Sequence, residues 1–214
     1  MSVDVRLIAI ADPAVLGGRD LVDAARRAQR GGATMVQLRM KHASTGEIFQ
    51  MARRLVEELT IPVYVNDRAD VALAAGASGV HLGVEDLPPA AVRSFAPEGF
   101  RIGISVGSED EVRLMGGAPA DYWSIGSVFR TSTKPDAGEP IGIEGFRRVA
   151  RWAPAGTPLV AIGGIDPSNA AEVVRAGADG VAVIRAVFAA SDVEGAARRI
   201  REAVDRELER RRSG

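Results

Sequence analysis

Asp67 and Asp86 each follow a short apolar run. Asn66-Asp67 closes residues 63–65 (Val-Tyr-Val), and Glu85-Asp86 follows residues 80–82. Runs of β-branched and aromatic residues of this length suit buried strands. Between them lies an alanine-rich helical stretch, 70–75, which Gly76 is placed to stop. Parallel strands joined by a helix put their C-terminal ends on one side of a sheet, so the two carboxylates share a rim. Carboxylates held close repel one another unless a proton or a cation lies between them. Hard oxygen donors beside a phosphate site suit Mg2+. The competing reading is that Asp67 and Asp86 each cap the helix that follows. Spacing alone leaves both readings open.

The cations point to the same rim. Of 27 basic residues, only Lys41 and Lys134 are lysines; the rest are arginines. A lysine retained where arginine is the general cation marks a place suited to a compact ammonium; the alternative is ordinary sampling of a rare residue. Gln37 and Arg39 alternate along a predicted strand and so face one way together. Ser105 ends another strand, and Thr131, Ser132, Thr133 and Lys134 lie in a long loop, 126–142. Gly163-Gly164 breaks a strand and Ile184-Arg185 ends the last one. A glycine pair lets a phosphate approach the backbone closely, or it makes a plain tight turn. Cations and a pair of acids converging on one rim suggest a polyanionic ligand, such as a diphosphate with Mg2+.

The elements needed to hold these residues follow from the apolar pattern. Strands are predicted at 5–11, 34–39, 63–65, 80–82, 101–105, 121–125, 158–162 and 180–184. Helices are predicted at 19–30, 44–59, 70–75, 88–95, 108–115, 143–152, 167–176 and 193–210, with Ser108 and Glu111 at capping-box spacing. The phrases GGATMVQ, AGASGVHLG and AGADGVAVI each set Gly-Ala before a strand, a rhythm of repeated αβ turns. Eight such units in one domain, 1–214, define an α/β fold, a (β/α)8 barrel whose chemistry lies at the C-terminal strand ends. The open doubly wound alternative would carry GxGxxG after its first strand, and nothing here resembles it.

Composition narrows the classes further. A chain of 214 residues with net charge -1 buries a full core and has no bulk attraction for nucleic acid or membrane. Absence of cysteine excludes disulfides and thiol chemistry. The first apolar run is too short to span a bilayer and has no basic segment before it, so a soluble cytoplasmic protein is expected. His81 falls inside a strand and reads as a hydrogen-bonded core residue, and His42 as an exposed neighbour of Lys41. The charged C-terminal stretch reads as a solvated helix with cations near its C-terminal dipole.

Taken together, QLRMK at 37–41, VNDRADVALAAGASGVHLGVEDLP at 65–88, GSVFRTSTKPDAG at 126–138, AIGGI at 161–165 and GADGVAVI at 177–184 resemble the thiamine phosphate synthase family. GRDL at 18–21 fits as well, so the resemblance covers almost the whole chain. It implies a Mg2+-dependent transferase that couples a hydroxymethylpyrimidine diphosphate to a hydroxyethylthiazole phosphate and releases diphosphate through a pyrimidine-stabilised cation. By motif, Gln37, Arg39, Lys41, Asn66 and Lys134 would hold the pyrimidine diphosphate, and Asp67 and Asp86 the metal. Ser105 would lie against the pyrimidine. Thr131, Thr133, Gly164, Ile184 and Arg185 would hold the thiazole phosphate. Lys134, Arg39 and Ser105 are the expected catalytic groups.

Three positions depart from the pattern. Arg185 stands where the family usually has Ser, Ser127 where Pro is common, and Val106-Gly107 where a His often follows Ser105. The sister thiazole tautomerases use a His in the loop after strand six. Ser127 at that place speaks against them, and the TSTK run favours a synthase. A non-catalytic binder of thiamine precursors is the remaining alternative.

Overall fold

Every strand of the fold is parallel to its neighbours, and the last pairs back onto the first to close a barrel. The strands are β1 (Leu7–Ala11), β2 (Met35–Leu38), β3 (Val63–Asn66), β4 (Gly79–Leu82), β5 (Arg101–Val106), β6 (Tyr122–Ile125), β7 (Leu159–Ile162) and β8 (Gly180–Val183). The helices are α1 (Leu21–Arg30), α2 (Thr45–Glu58), α3 (Ala69–Ala75), α4 (Pro89–Phe95), α5 (Glu109–Leu114), α6 (Gly142–Ala150), α7 (Ala170–Arg175), α8 (Arg185–Phe188) and α9 (Val193–Ser213). This computed structural model describes residues 3–115, 120–131 and 139–213. The expected (β/α)8 barrel is therefore the observed fold, as one domain.

Alternation along each strand builds two cores. Outward residues such as Leu7, Val36, Val65, Leu82, Ile104 and Ile125 pack under the helices. Inward residues, among them Ile8, Ile10, Met35, Tyr64, Tyr122, Val160 and Ala182, fill the barrel. Two glycines make room for the rings. A Cβ on Gly103 would lie 2.1 Å from Tyr122 Cζ, and one on Gly79 would lie 2.7 Å from Tyr64 Cε1. The two tyrosines meet edge to face, their centroids 5.9 Å apart.

Side chains just before β2, β6 and β8 tie the lower rim together. Thr34 Oγ1 accepts the Leu7 N–H at 3.1 Å, tying the start of β2 to β1. In the same way Asp121 accepts the Ile102 N–H at 2.8 Å and Asp179 the Leu159 N–H at 2.9 Å. Each side chain satisfies a donor at or next to the start of the preceding strand.

Several predicted boundaries shift. The first strand begins at Leu7, two residues later than expected, and the helix expected at 167–176 is regular from Ala170 to Arg175. The last strand ends at Val183, so Arg185 is not a strand end but opens the short helix α8. Ser108 caps α5 as expected, accepting the Glu111 N–H at 3.2 Å. The Glu111 carboxylate, however, takes the Gly107 N–H. The reciprocal box lies instead at Ser44 and Glu47, before α2.

Candidate active site

The strand ends and the loops after them place the acids first. Asp67 directly follows β3 in the left-handed region, φ 67°, and its N–H donates to the His81 carbonyl at 2.8 Å. Asp tolerates this backbone better than most residues. Asp86 lies in the loop between β4 and α4 and accepts the Gly83 N–H at 2.7 Å. Neither caps a helix: α3 follows Arg68 and α4 follows Pro88, both without a side-chain cap. The capping reading is thereby removed.

The electrostatics show the two acids to be neighbours. Burial, with the charge and hydrogen bonding of the adjacent Asp67, pushes the Asp86 carboxyl up to about 6. The Gly83 N–H and Lys41 act in the opposite sense. Lys41 Nζ is 2.7 Å from Asp67 Oδ2, a half-compensated arrangement of two acids and one ammonium. Among the described residues no group of three or more His, Cys, Asp or Glu could hold a metal. Two carboxylates nonetheless suit Mg2+, which keeps several waters and takes phosphate oxygens rather than a full protein cage.

Arg39 lies just beyond β2 and pairs with Asp12, the first residue after β1. Asp12 is buried and also accepts the Ala14 N–H at 3.0 Å. Sequence reasoning missed Asp12. The signal was present, since an Asp-Pro pair directly follows the first apolar run, at the same rim as the other strand ends. Asn66 ends β3 opposite His81. Gln37 faces inward as expected, but at 3% exposure it lies within the barrel rather than on its rim. Ser105 on β5 is half-buried, with its Oγ 2.7 Å from His81 Nε2. His81 is the buried, hydrogen-bonded residue expected.

On the far side, Gly163 and Gly164 both have positive φ, 97° and 64°. Side chains here would strike the segment after β6: a Cβ on Gly163 would lie 2.5 Å from Ser127 Cβ, and one on Gly164 2.5 Å from the Arg130 carbonyl. Tight backbone packing thus already requires both glycines. Asn169 Nδ2 donates to the Gly164 carbonyl at 2.9 Å and braces the turn. Ile184 is half-buried over the barrel and Arg185 is exposed beside it. Arg19 of the GRDL segment donates to the carbonyls of Ala190 and Phe188, fastening the loop after β1 to the end of α8. Thr131 is among the described residues of its loop; Thr133 and Lys134 lie outside them.

A closed parallel barrel with acids, cations and a glycine turn on its C-terminal rim defines an enzyme-type barrel. Residues 7–187 match the family model described as thiamine monophosphate synthase, and the chain belongs to that family. It is 48% identical over 195 residues to the thiamine-phosphate synthase of Moorella thermoacetica, covering 89% of this chain and 91% of that one. It is 44% identical over 205 residues to that of Chloroflexus aurantiacus, covering 94% of both. The solved thiamine phosphate pyrophosphorylase from Pyrococcus furiosus superposes with a TM-score of 0.83 at 40% identity. That match covers 96% of this chain and 98% of the other. Among the described residues no helix is long and apolar enough to cross a membrane.

Proposed function

We propose that this protein joins hydroxymethylpyrimidine diphosphate to hydroxyethylthiazole phosphate, forming thiamine phosphate and releasing diphosphate, with Mg2+ held by Asp67 and Asp86. The carrying observation is the meeting of these two carboxylates, free of capping duty, with Lys41 at 2.7 Å from one of them. Bound there, Mg2+ would neutralise charge on the diphosphate.

The chain's own residues supply the rest. Lys41 and Arg39 bring fixed positive charge to the side where the leaving group gathers negative charge. The motifs assign Asn66 and Lys134 to the same diphosphate and Ser105 to the pyrimidine. Thr131, Thr133, Gly164, Ile184 and Arg185 take the thiazole phosphate on the opposite side. The bond between the pyrimidine methylene carbon and the diphosphate oxygen breaks, and both electrons leave with the diphosphate. The thiazole nitrogen then gives its lone pair to the methylene carbon. No proton moves in either step, so the chemistry calls for charge neutralisation and exclusion of water rather than a general base.

The test is incubation of the purified protein with both precursors and Mg2+, with thiamine phosphate read by mass spectrometry. Product that disappears with EDTA is expected. Absence of product at saturating precursors would overturn the synthase reading, and product unaffected by EDTA would overturn the metal assignment.

A further inference from the structure

Apolar surface is spread unevenly around this barrel. Among the described residues, the large apolar side chains left exposed are Val84, Leu87, Phe95, Leu114 and Trp152. All five fall between β4 and β7, the sector covered by α4, α5 and α6. The rest of the helical layer is closely knit. Helix α2 packs along α3, and α9 packs on both α1 and α7. Arg26 of α1 meets Glu58 of α2, and Arg30 of α1 meets Glu194 of α9. Helices α4, α5 and α6 are short and, among the described residues, make few contacts with one another. Here Arg113 and Arg147 pair with acids of their own helices.

Helix direction fixes where these groups stand. Each helix leaves the C-terminal rim of the barrel and runs down to the opposite rim. Val84 and Leu87 precede α4 and so lie at its upper end. Phe95 closes α4, Leu114 closes α5 and Trp152 follows α6, which makes an apolar arc along the lower edge. Charge is sorted along the same direction. Glu109 and Asp110 stand in the first turn of α5, and Glu144 in that of α6. Arg113 stands in the last turn of α5, Arg147 and Arg148 in that of α6, and exposed Arg151 just beyond. Helix dipoles favour such sorting, but they give no reason for five large apolar side chains to face water.

We infer that the α4–α6 face is the meeting surface of two copies of this chain, turned end over end about a two-fold axis. A two-fold contact sets one surface against itself, so the surface must match its own form turned over. This one does. Turning it over lays the acidic upper ends of α5 and α6 in one copy against the arginine-bearing lower ends in the other. It also brings Val84 and Leu87 to the level of the apolar arc. A partner of one charge would leave half of this face opposed. The exposed apolar area is on the order of 500 Å2, the size of a functional patch. With the charged helix ends it approaches the roughly 800 Å2 per subunit of a stable interface. Phe95 and Trp152 are side chains of the kind that anchor such contacts. The pairing does not depend on which reaction the barrel performs.

Sedimentation equilibrium from about 1 to 100 μM is the test, with a species of twice the chain mass expected. Leu114 is 74% exposed, so its replacement leaves the core alone. Leu114→Arg should keep the wild-type melting temperature and raise the dimer dissociation constant at least about tenfold. A protein that stays monomeric throughout would overturn the inference and leave the face to a different partner. A dimer unmoved by Leu114→Arg would use another surface, which overturns it equally. Charge decides the orientation. A chain with Asp110→Arg and Glu144→Arg should be monomeric, and so should one with Arg148→Glu and Arg151→Glu. Mixed in equal amounts, the two should recover the dimer, because each reversed end then meets its opposite. A mixture that remains monomeric would refute the end-over-end pairing. Mass is read without turnover, so these outcomes stand apart from the synthase reading.

Discussion

Asp12→Asn isolates the ion pair with Arg39. Asparagine keeps an oxygen to accept the Ala14 N–H, so the cap is preserved while the charge is removed. Asp12 is 5% exposed and the Arg39 side chain 17% exposed. Breaking a buried pair costs about 3–5 kcal/mol because the remaining charge is left uncompensated. The partial exposure of Arg39 lets water recover some of this, so about 2 kcal/mol is the better figure. For a chain of this size that is roughly a 4–8 °C fall in melting temperature. Arg39, no longer held in one orientation, should also bind the diphosphate less well, raising KM for the pyrimidine substrate about tenfold. Thermal unfolding and steady-state kinetics on the same preparation separate the two effects. A variant melting within a degree of wild type, with unchanged KM, would refute the view that Asp12 orients Arg39. A melting shift without a KM shift would leave Asp12 as a stabilising residue alone.

Asp86 carries a pH prediction. Its folded value, about 6, lies above the unfolded one. Its contribution to stability is therefore full below the unfolded value and is lost as pH rises through about 6. In EDTA the protein should lose melting temperature between pH 4 and 6.5, and added Mg2+ should raise it at pH 7 but not at pH 5. Asp86→Asn should abolish both effects, and a Mg2+ shift equal at the two pH values would contradict the assignment. Gly103→Ala should be severe, by about 3 kcal/mol or more, since the new methyl meets the enclosed Tyr122 ring; a chemical denaturation midpoint close to wild type would show that the ring can move. Ser124→Ala should be neutral or stabilising in thermal unfolding. Its buried hydroxyl has no partner among the described residues, and a loss of more than about 1 kcal/mol would reveal one.

The fold was legible because each strand and helix announced itself locally. Gly-Ala before strands 2, 4 and 8, and Gly76 in the left-handed region after α3, are short-range signals that the barrel reuses. The pairing of Asp67 with Asp86 was also legible, since parallel strands must end on one side. What sequence could not settle was depth. Gln37 and Arg39 alternate on one face, yet one lies inside the barrel and the other on its rim. Nor could local pattern join His81 to Tyr122 and Ser105, which are brought together by barrel register. Asp12 was overlooked because a lone acid after a strand looks like the cap it also is.

The seam between β1 and β8 joins residues from the two ends of the chain. Helix α9 fastens it: Arg6 reaches Asp205 at 3.3 Å, Arg201 donates to the Gly32 carbonyl at 2.7 Å, and Arg211 meets Asp179 at 2.5 Å. On the ribosome, β1 must wait until nearly the whole chain has emerged before its second neighbour exists. Such long-range closure is slow and leaves a strand edge open meanwhile. The rim runs from Asp12, Arg39, Asp67 and Asp86 beyond the first four strands to Gly163-Gly164 and Ile184-Arg185 beyond the last two, so it is complete only once the barrel is. A nascent or C-terminally truncated chain would thus be without a working site as well as less stable, and premature termination would release inactive protein with an open edge rather than a weakened enzyme.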